Sequence, residues 1–397
     1  MQSPMASRLA PRLHPRSFTF TPIAETGPRF RDFAPYVAAL DDAGTVAFQA
    51  TLTTGGSGVF TASGGPITTV ASGSTSAAGA MRPMSPPETV LRDVISHPDI
   101  GNDGSVCFYA ECQAAGDPAR RHHSVVLVKD GEHREMARGA GPLGPTMNDR
   151  GAVAFRADVA PGISGVLIAR GHDANSEPGS PPPVTVADTR GHFTGFHGLP
   201  VIDRQGVVVF RADTRDGGSG IYAWNQGTIA TVVATMVSTG GASAGAGPSV
   251  PHSLDPGLLD LRSLARFPAI DDHGTVVFAA TRASGLGGIF AVRDGQLTAI
   301  VDGDSGRFAS FRGALVDDSG ALIFFANPPG GELGVYCGPD PVAHRVFAIG
   351  APLGDHPGAP PVRSFALNPV SINRAGQLAI RLELADGQQA IVRADPR

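Results

Sequence analysis

The chain has 397 residues, 42% of them hydrophobic and only 17% charged, with Gly 52, Pro 34 and a formal net charge of −5. Sparse charge with abundant turn-formers is the profile of an all-β protein, and the lack of a concentrated basic block argues against a nucleic-acid partner. Lys129 is the single lysine and stands in a Lys-Asp-Gly turn, which removes Schiff-base catalysis and a lysine-bearing phosphate loop from the functions to consider.

In chain order, residues 1–16 contain Pro and Arg but no apolar run of leader length. They read as a flexible extension, with residues 17–397 as one domain. No segment approaches the roughly 20 apolar residues of a membrane span, so the chain is expected to be soluble, cytoplasmic and without a membrane partner. Phe18-Thr19-Phe20-Thr21-Pro22-Ile23-Ala24 reads as a strand. After it comes the first copy of a repeat, Leu40-Asp41-Asp42-Ala43-Gly44-Thr45-Val46-Ala47-Phe48-Gln49-Ala50 and then Gly58-Val59-Phe60.

The turn glycine returns at Gly104, Gly151, Gly206, Gly274, Gly320 and Gly376, at spacings between 46 and 68 residues. That is the period of a propeller blade with variable loops. The fifth copy shows four extended segments: 267–270, 275–280, 288–292 and 296–301. Asp-rich turns and Asp-Gly hairpins join them, with Asx side chains capping and glycine taking positive φ. A lone four-stranded unit leaves both faces bare, whereas a ring of seven covers them. The last copy supplies only three segments (367–372, 376–382 and 389–393), so the strand near Phe18 is expected to complete it. The fold class is therefore an all-β, seven-bladed propeller of four-stranded antiparallel blades.

The copy Asn148-Asp149-Arg150-Gly151-Ala152-Val153-Ala154-Phe155-Arg156-Ala157, followed by Gly165-Val166-Leu167, resembles the bacterial tandem-repeat propeller proteins whose units read Asn-x-x-Gly-x-Val-Ala-Phe-x-Ala and then Gly-Ile-Phe. The resemblance covers nearly the whole chain and implies the propeller fold. Many of those relatives are exported or surface-anchored, their functions are largely unassigned, and the shared residues are turn and core positions.

Three long insertions interrupt the repeat. Residues 72–96 end in an expected helical turn around Glu88 to Ile95. Residues 235–266 hold an expected short helix over 255–264, from its N-cap, proline and apolar spacing. Residues 171–183 fall between a third and a fourth strand. The first two are expected on one face, as binding loops or lids.

Cys107, Cys112 and Cys337 lack metal-ligand spacing and read as buried thiols. No cofactor is expected; a divalent metal is the lesser alternative, since the spacing of His192 and His197 permits shared ligation but neither that pair nor His122-His123 makes up a zinc set. The glycine run 139–144 has dinucleotide spacing but no helix after it. The Asp-Asp turns at Asp41, Asp271 and Asp317 read as turn caps.

The functional candidates lie where one blade passes into the next. Phe30, Phe33, Phe193, Phe196, Phe308, Phe311 and Phe365 are expected to plug the gaps between blades. The polar residues beside them are free for binding: Arg31, His192, Arg266, Arg312 and Arg363 as a cationic funnel for a small polar or anionic molecule. His97 or His197 would act as general base, with Asp99 orienting an imidazole. The favoured reading is an enzyme of the lyase, isomerase, cyclase or hydrolase type at the channel mouth. The alternative is a noncatalytic module or scaffold for a protein or glycan, for which a single Trp and 4 Tyr provide little stacking surface.

Overall fold

The computed structural model describes residues 11–73, 84–85, 89–114, 117, 119–170, 182–235, 260–354 and 358–397. They form seven separate sheets, each built on four antiparallel strands that are consecutive in all but the last, arranged as a seven-bladed propeller. Blade 1 spans Phe30–Asp32 to Thr68–Ser72, and blade 4 spans Phe193–Ile202 to Thr228–Ala234. In blade 7 the order runs from Val362–Ala366 through Leu378–Leu384 and Gln389–Pro396 to Phe18–Glu25. The early strand therefore completes the last blade as expected, in a register from Phe18 opposite Pro396 to Glu25 opposite Ala390.

The extension read over 1–16 is held at its near end. Arg12–Leu13 pairs in parallel with Ala321 and Leu322 of blade 6, and the Arg16 guanidinium donates to Asp317 at 3.1 Å. Residues 1–10 lie outside the described residues.

The second strand of every blade carries the apolar alternation that a sheet buried on both faces requires. Val46, Phe48 and Ala50 of blade 1 are buried, as are Val153 and Phe155 of blade 3 and Phe278 and Ala280 of blade 5. The aromatic plugs sit where the sequence placed them. Phe30 and Phe33 pack on Phe48 and Phe60 in a cluster shared with Ala379 and Ile391 of blade 7. Phe193 and Phe196 do the same against blade 3, and Phe308 against blade 5.

The innermost strand is longer than the sequence reading allowed. In blades 1, 2 and 5 it comes in two pieces, as in Thr89–Val94 with Asp99–Ile100 and Leu261–Leu264 with Ala269–Ile270. In blade 4 it is one strand whose pairing slips between His197 and Val201. The break falls beside Pro98, Pro200 and Pro268, which have no N–H for the ladder, so a bulge there is the local solution. Two expectations are thereby corrected. The helical turn around Glu88 to Ile95 is strand over Thr89–Val94, and the end of the expected helix over 255–264 is strand over Leu261–Leu264; residues 255–259 lie outside the described residues. Alternating burial at Leu91 and Val94 serves a strand against blade 1, where a short apolar run looks alike in either period. Likewise the seventh innermost strand lies at Val362–Ala366, with a 3₁₀ turn at Pro369–Ser371, rather than over 367–372.

Candidate functional site

Each innermost strand leads into a short turn, opened by Asp or Asn in six blades and by Gly101 in blade 2, and all seven turns meet around the axis. The first turn residue caps. Asp271 Oδ1 accepts the amides of His273 and Thr275 at 2.9 and 2.8 Å, and Asp317, Asn148 and Asn373 repeat the pattern. The cap reading holds for this position. Its second side-chain atom faces the next blade: Asn148 donates to the Asp203 carbonyl and Asn373 to that of Asp41, each at 2.9 Å.

The second turn residue does something the sequence reading missed. Going round the ring it is Asp42, Asn102, Asp149, Arg204, Asp272, Asp318 and Arg374. Backbone amides link neighbours: Asp42 donates to Asn102, Arg204 to Asp272 and Arg374 to Asp42, at 2.8, 2.8 and 3.1 Å. An arginine cannot accept such a bond, so the two arginines reach across instead. Arg374 meets Asp42 at 2.6 Å, Asp272 at 2.9 Å, Asp318 at 3.1 Å and also Asp149. Arg204 adds Asp149 at 3.3 Å. Burial would raise the Asp149 carboxyl, but these guanidinium contacts hold it below its ordinary value. Asp318 is raised, by burial and by Asp272.

Beneath this mouth lies a cavity of about 170 Å³ with walls that include Leu40, Ile100, Met147, Ile270 and Val316. Besides the turn carboxylates, one acid from an innermost strand stands in the wall. Asp99 occupies the repeat position filled elsewhere by Ala39, Thr146, Val201, Ala269, Leu315 and Ser371. It is 7% exposed. Burial pushes its carboxyl up to about 7 against the pull of two backbone donors, the amides of Met147 at 2.7 Å and Ile100 at 2.9 Å. His97, 2% exposed, sits above it. Its Nδ1 is 3.1 Å from the Pro98 carbonyl, and Asn368 Nδ2 of blade 7 lies 3.3 Å from its Nε2. Burial lowers this imidazole to about 4, so at neutral pH it is an uncharged plug with Nδ1 as donor and Nε2 as acceptor. A Cβ at Gly144 would stand 2.7 Å from the ring, which makes glycine the residue that fits there.

The imidazole–carboxylate pair expected of Asp99 occurs elsewhere. His197 Nε2 lies 2.6 Å from Asp213 Oδ2. His197 and Arg211 are opposite one another on neighbouring strands, which puts their side chains on one sheet face. That face is the one turned toward blade 5, since the same alternation places Val209 and Ile221 in a cluster with Leu261, Val276 and Phe278. Arg211 Nη2 is 3.4 Å from Ser219 Oγ and 3.9 Å from Asp213 Oδ1, while its buried Nε has no partner. Burial lowers the Arg211 pKa, and the charge of Arg266 lowers it further. The Gly198 backbone, at φ +64, packs directly on the Arg266 carbonyl, and Arg156 Nη1 donates to the Gly198 carbonyl at 3.0 Å.

The other candidates are spread around the wheel. Arg31, Arg312 and Arg363 are exposed on the innermost strands of blades 1, 6 and 7, on strand rather than in loops, and Arg363 pairs with Glu383 of its own blade at 3.2 Å. His192 is half-buried edge-on against Phe193. His97, Asp99 and His197 therefore do not form one group. The three cysteines are buried and unpaired with one another, and burial pushes Cys112 up to about 12, so they carry no nucleophile. Among the described residues no group of three or more His, Cys, Asp or Glu suits a metal ion.

The protein is a seven-bladed β-propeller. Residues 22–146 match DUF7453, a family of unknown function. No curated protein matches the chain. Among solved structures it is similar to a prolyl endopeptidase, at 11% identity over 99% of this chain and 52% of that one, with a TM-score of 0.49. It is also similar to TolB from Acinetobacter baumannii, at 11% identity over 82% of this chain and 62% of that one, with a TM-score of 0.39. The N-terminal domain of Nup159 is similar at 10% identity over 97% of both chains, with a TM-score of 0.41. The chain thus spans about half of the peptidase and less than two thirds of TolB. Likenesses this distant carry nothing about chemistry.

Proposed function

We propose that the chain binds a small anionic molecule at the seam between blades 4 and 5 and moves a proton there through His197. The observation that carries this reading is the 2.6 Å contact of His197 with Asp213 beside the cationic Arg211. Asp213 accepts a hydrogen bond from Nε2–H and so fixes the tautomer, which leaves the Nδ1 lone pair as base. His197 is 33% exposed and so within reach of a ligand. Arg211 is 14% exposed, with a buried Nε that lacks an acceptor, and Arg266 lies near enough to depress it. A carboxylate or phosphate placed there would meet both needs. Lyase, isomerase, cyclase or hydrolase chemistry is open to such a pair. His97 and Asp99, bonded to backbone inside the wheel, stand outside this reading.

A noncatalytic binder would use the same charges, and two readouts separate the cases. Phosphate and succinate are titrated by calorimetry, and a panel of hydroxy- and phospho-acids is followed by NMR for turnover. Arg211→Gln should weaken anion binding by more than about tenfold. His197→Ala should keep binding within about threefold while abolishing any turnover. Anion binding that survives Arg211→Gln sinks the site. Binding without turnover in the wild type leaves the noncatalytic module.

A further inference from the structure

We infer that the turn end of the channel is a receptor for an alkylguanidinium or alkylammonium group, and that Arg374 is the occupant the chain itself supplies. Four carboxylates, those of Asp42, Asp149, Asp272 and Asp318, converge on one guanidinium. Arginine's flat fork of donors suits such a cage. The second cation on the ring is Arg204, whose carboxylate contacts are looser, at 3.3 and 3.8 Å, so four acids face two bases.

A separate observation points to a missing donor. Asp271 lines the cavity, is 4% exposed, and has an Oδ2 with no hydrogen-bond partner. Three counterparts use the equivalent atom: Asp317 Oδ2 accepts from Arg16, while Asn148 and Asn373 donate through Nδ2 to the next blade. A buried carboxylate oxygen without a donor is costly, and an incoming ammonium or guanidinium would supply one.

The wall beneath selects for an organic cation over a bare ion. Leu40, Ile100, Met147, Ile270 and Val316 share the lining of the cavity of about 170 Å³ with Asp99, Asp271 and the ring carboxylates, so a short alkyl chain finds apolar contact beside its charged head. Entry of a ligand requires Arg374 to swing outward. Its side chain is on the last turn of the ring and 28% exposed, so it can leave for solvent without unpacking a blade. The mouth is thus gated by competition: an outside cation binds by replacing an inside one, and affinity is reduced by whatever the inside pairing is worth.

The head group could come from a free amine or from a side chain of a partner peptide. Agmatine and an end-blocked Gly-Arg-Gly peptide probe the two sources by calorimetry on the whole chain. Arg374→Ala should bind agmatine at least about tenfold more tightly than wild type, and adding Asp149→Asn and Asp272→Asn should remove the binding. Tighter binding of the peptide than of agmatine assigns the source to a protein, and the reverse assigns it to a free amine. Folded Arg374→Ala that binds neither probe overturns the inference, as does binding indifferent to the two Asp→Asn changes. Should Arg374→Ala fail to fold, the wild type decides alone: agmatine binding lost in Asp149→Asn supports the receptor, and no binding at millimolar agmatine ends it.

Discussion

At the turn end of the channel, seven short turns meet and their charged side chains are spent on one another. At the blade 4–5 seam, the same kind of strand delivers His197, Arg211 and Arg266 with one carboxylate between them. The contrast comes from repetition. The turn residues recur in every blade, so whatever stands at the second turn position is brought to the axis seven times over and must be neutralised there. Of the seam residues, Arg211 and Asp213 recur at their repeat positions as Arg156 and Asp158 in blade 3 and as Arg381 and Glu383 in blade 7, so it is His197 that departs from the repeat. A repeat architecture thus makes its shared positions structural and its departures from the repeat available for chemistry.

The largest effect that would break this comparison lies at Arg374. Arg374→Leu strands four carboxylates at the axis and should lower stability by about 2–4 kcal/mol, discounted for their partial exposure. Urea unfolding should also show the loss shrinking in high salt, as screening relieves the acids. An unchanged midpoint would mean that the axial charges hold nothing together.

The second effect is one of pH. Asp99 rises from 3.8 to about 7 in the fold, so it keeps a proton that the unfolded chain releases. Stability falls with rising pH across that window. His97 drops from 6.5 to about 4, so between those values the unfolded chain takes a proton that the buried ring refuses. Stability there rises with pH. The two oppose one another in the wild type. Asp99→Asn removes the first and should steepen the rise between pH 4.5 and 6.5 by up to about 1.4 kcal/mol per pH unit. Parallel stability profiles for the two proteins would show that Asp99 does not titrate in this range.

The smallest effect sharpens the comparison by improving the turn end. Asp271→Asn gives blade 5 the donor that Asn148 and Asn373 already use toward the next blade's carbonyl. It should raise stability by about 0.5–1.5 kcal/mol. A loss of stability would show that an amide nitrogen at this position finds no acceptor on the next blade.

Much of the fold was legible because its signals are local. The spaced turn glycines, the buried second strands and the stray strand at Phe18 each declare themselves within about ten residues. The upper half of the innermost strand was not, since Pro98, Pro200 and Pro268 look like terminators when they mark bulges. His197 was found as a polar residue beside plug aromatics, but its partner Asp213 belongs to the next strand and no spacing rule links them. Asp99 was assigned to an imidazole because His97 is two residues away, yet the strand breaks at Pro98, which leaves the His97 ring on the Pro98 carbonyl and Asn368 while Asp99 accepts from the amides of Ile100 and Met147. The axial ring could have been read by aligning the turns, where Arg204 and Arg374 replace Asp or Asn.

One further consequence attaches to Phe18–Glu25. This strand is made six blades ahead of its partner Gln389–Pro396. Throughout synthesis its hydrogen-bonding edge has no native neighbour, and any other strand can compete for it. The wheel therefore completes by a very long loop closure, which makes the joining of blade 7 the slow and vulnerable event in the life of the nascent protein.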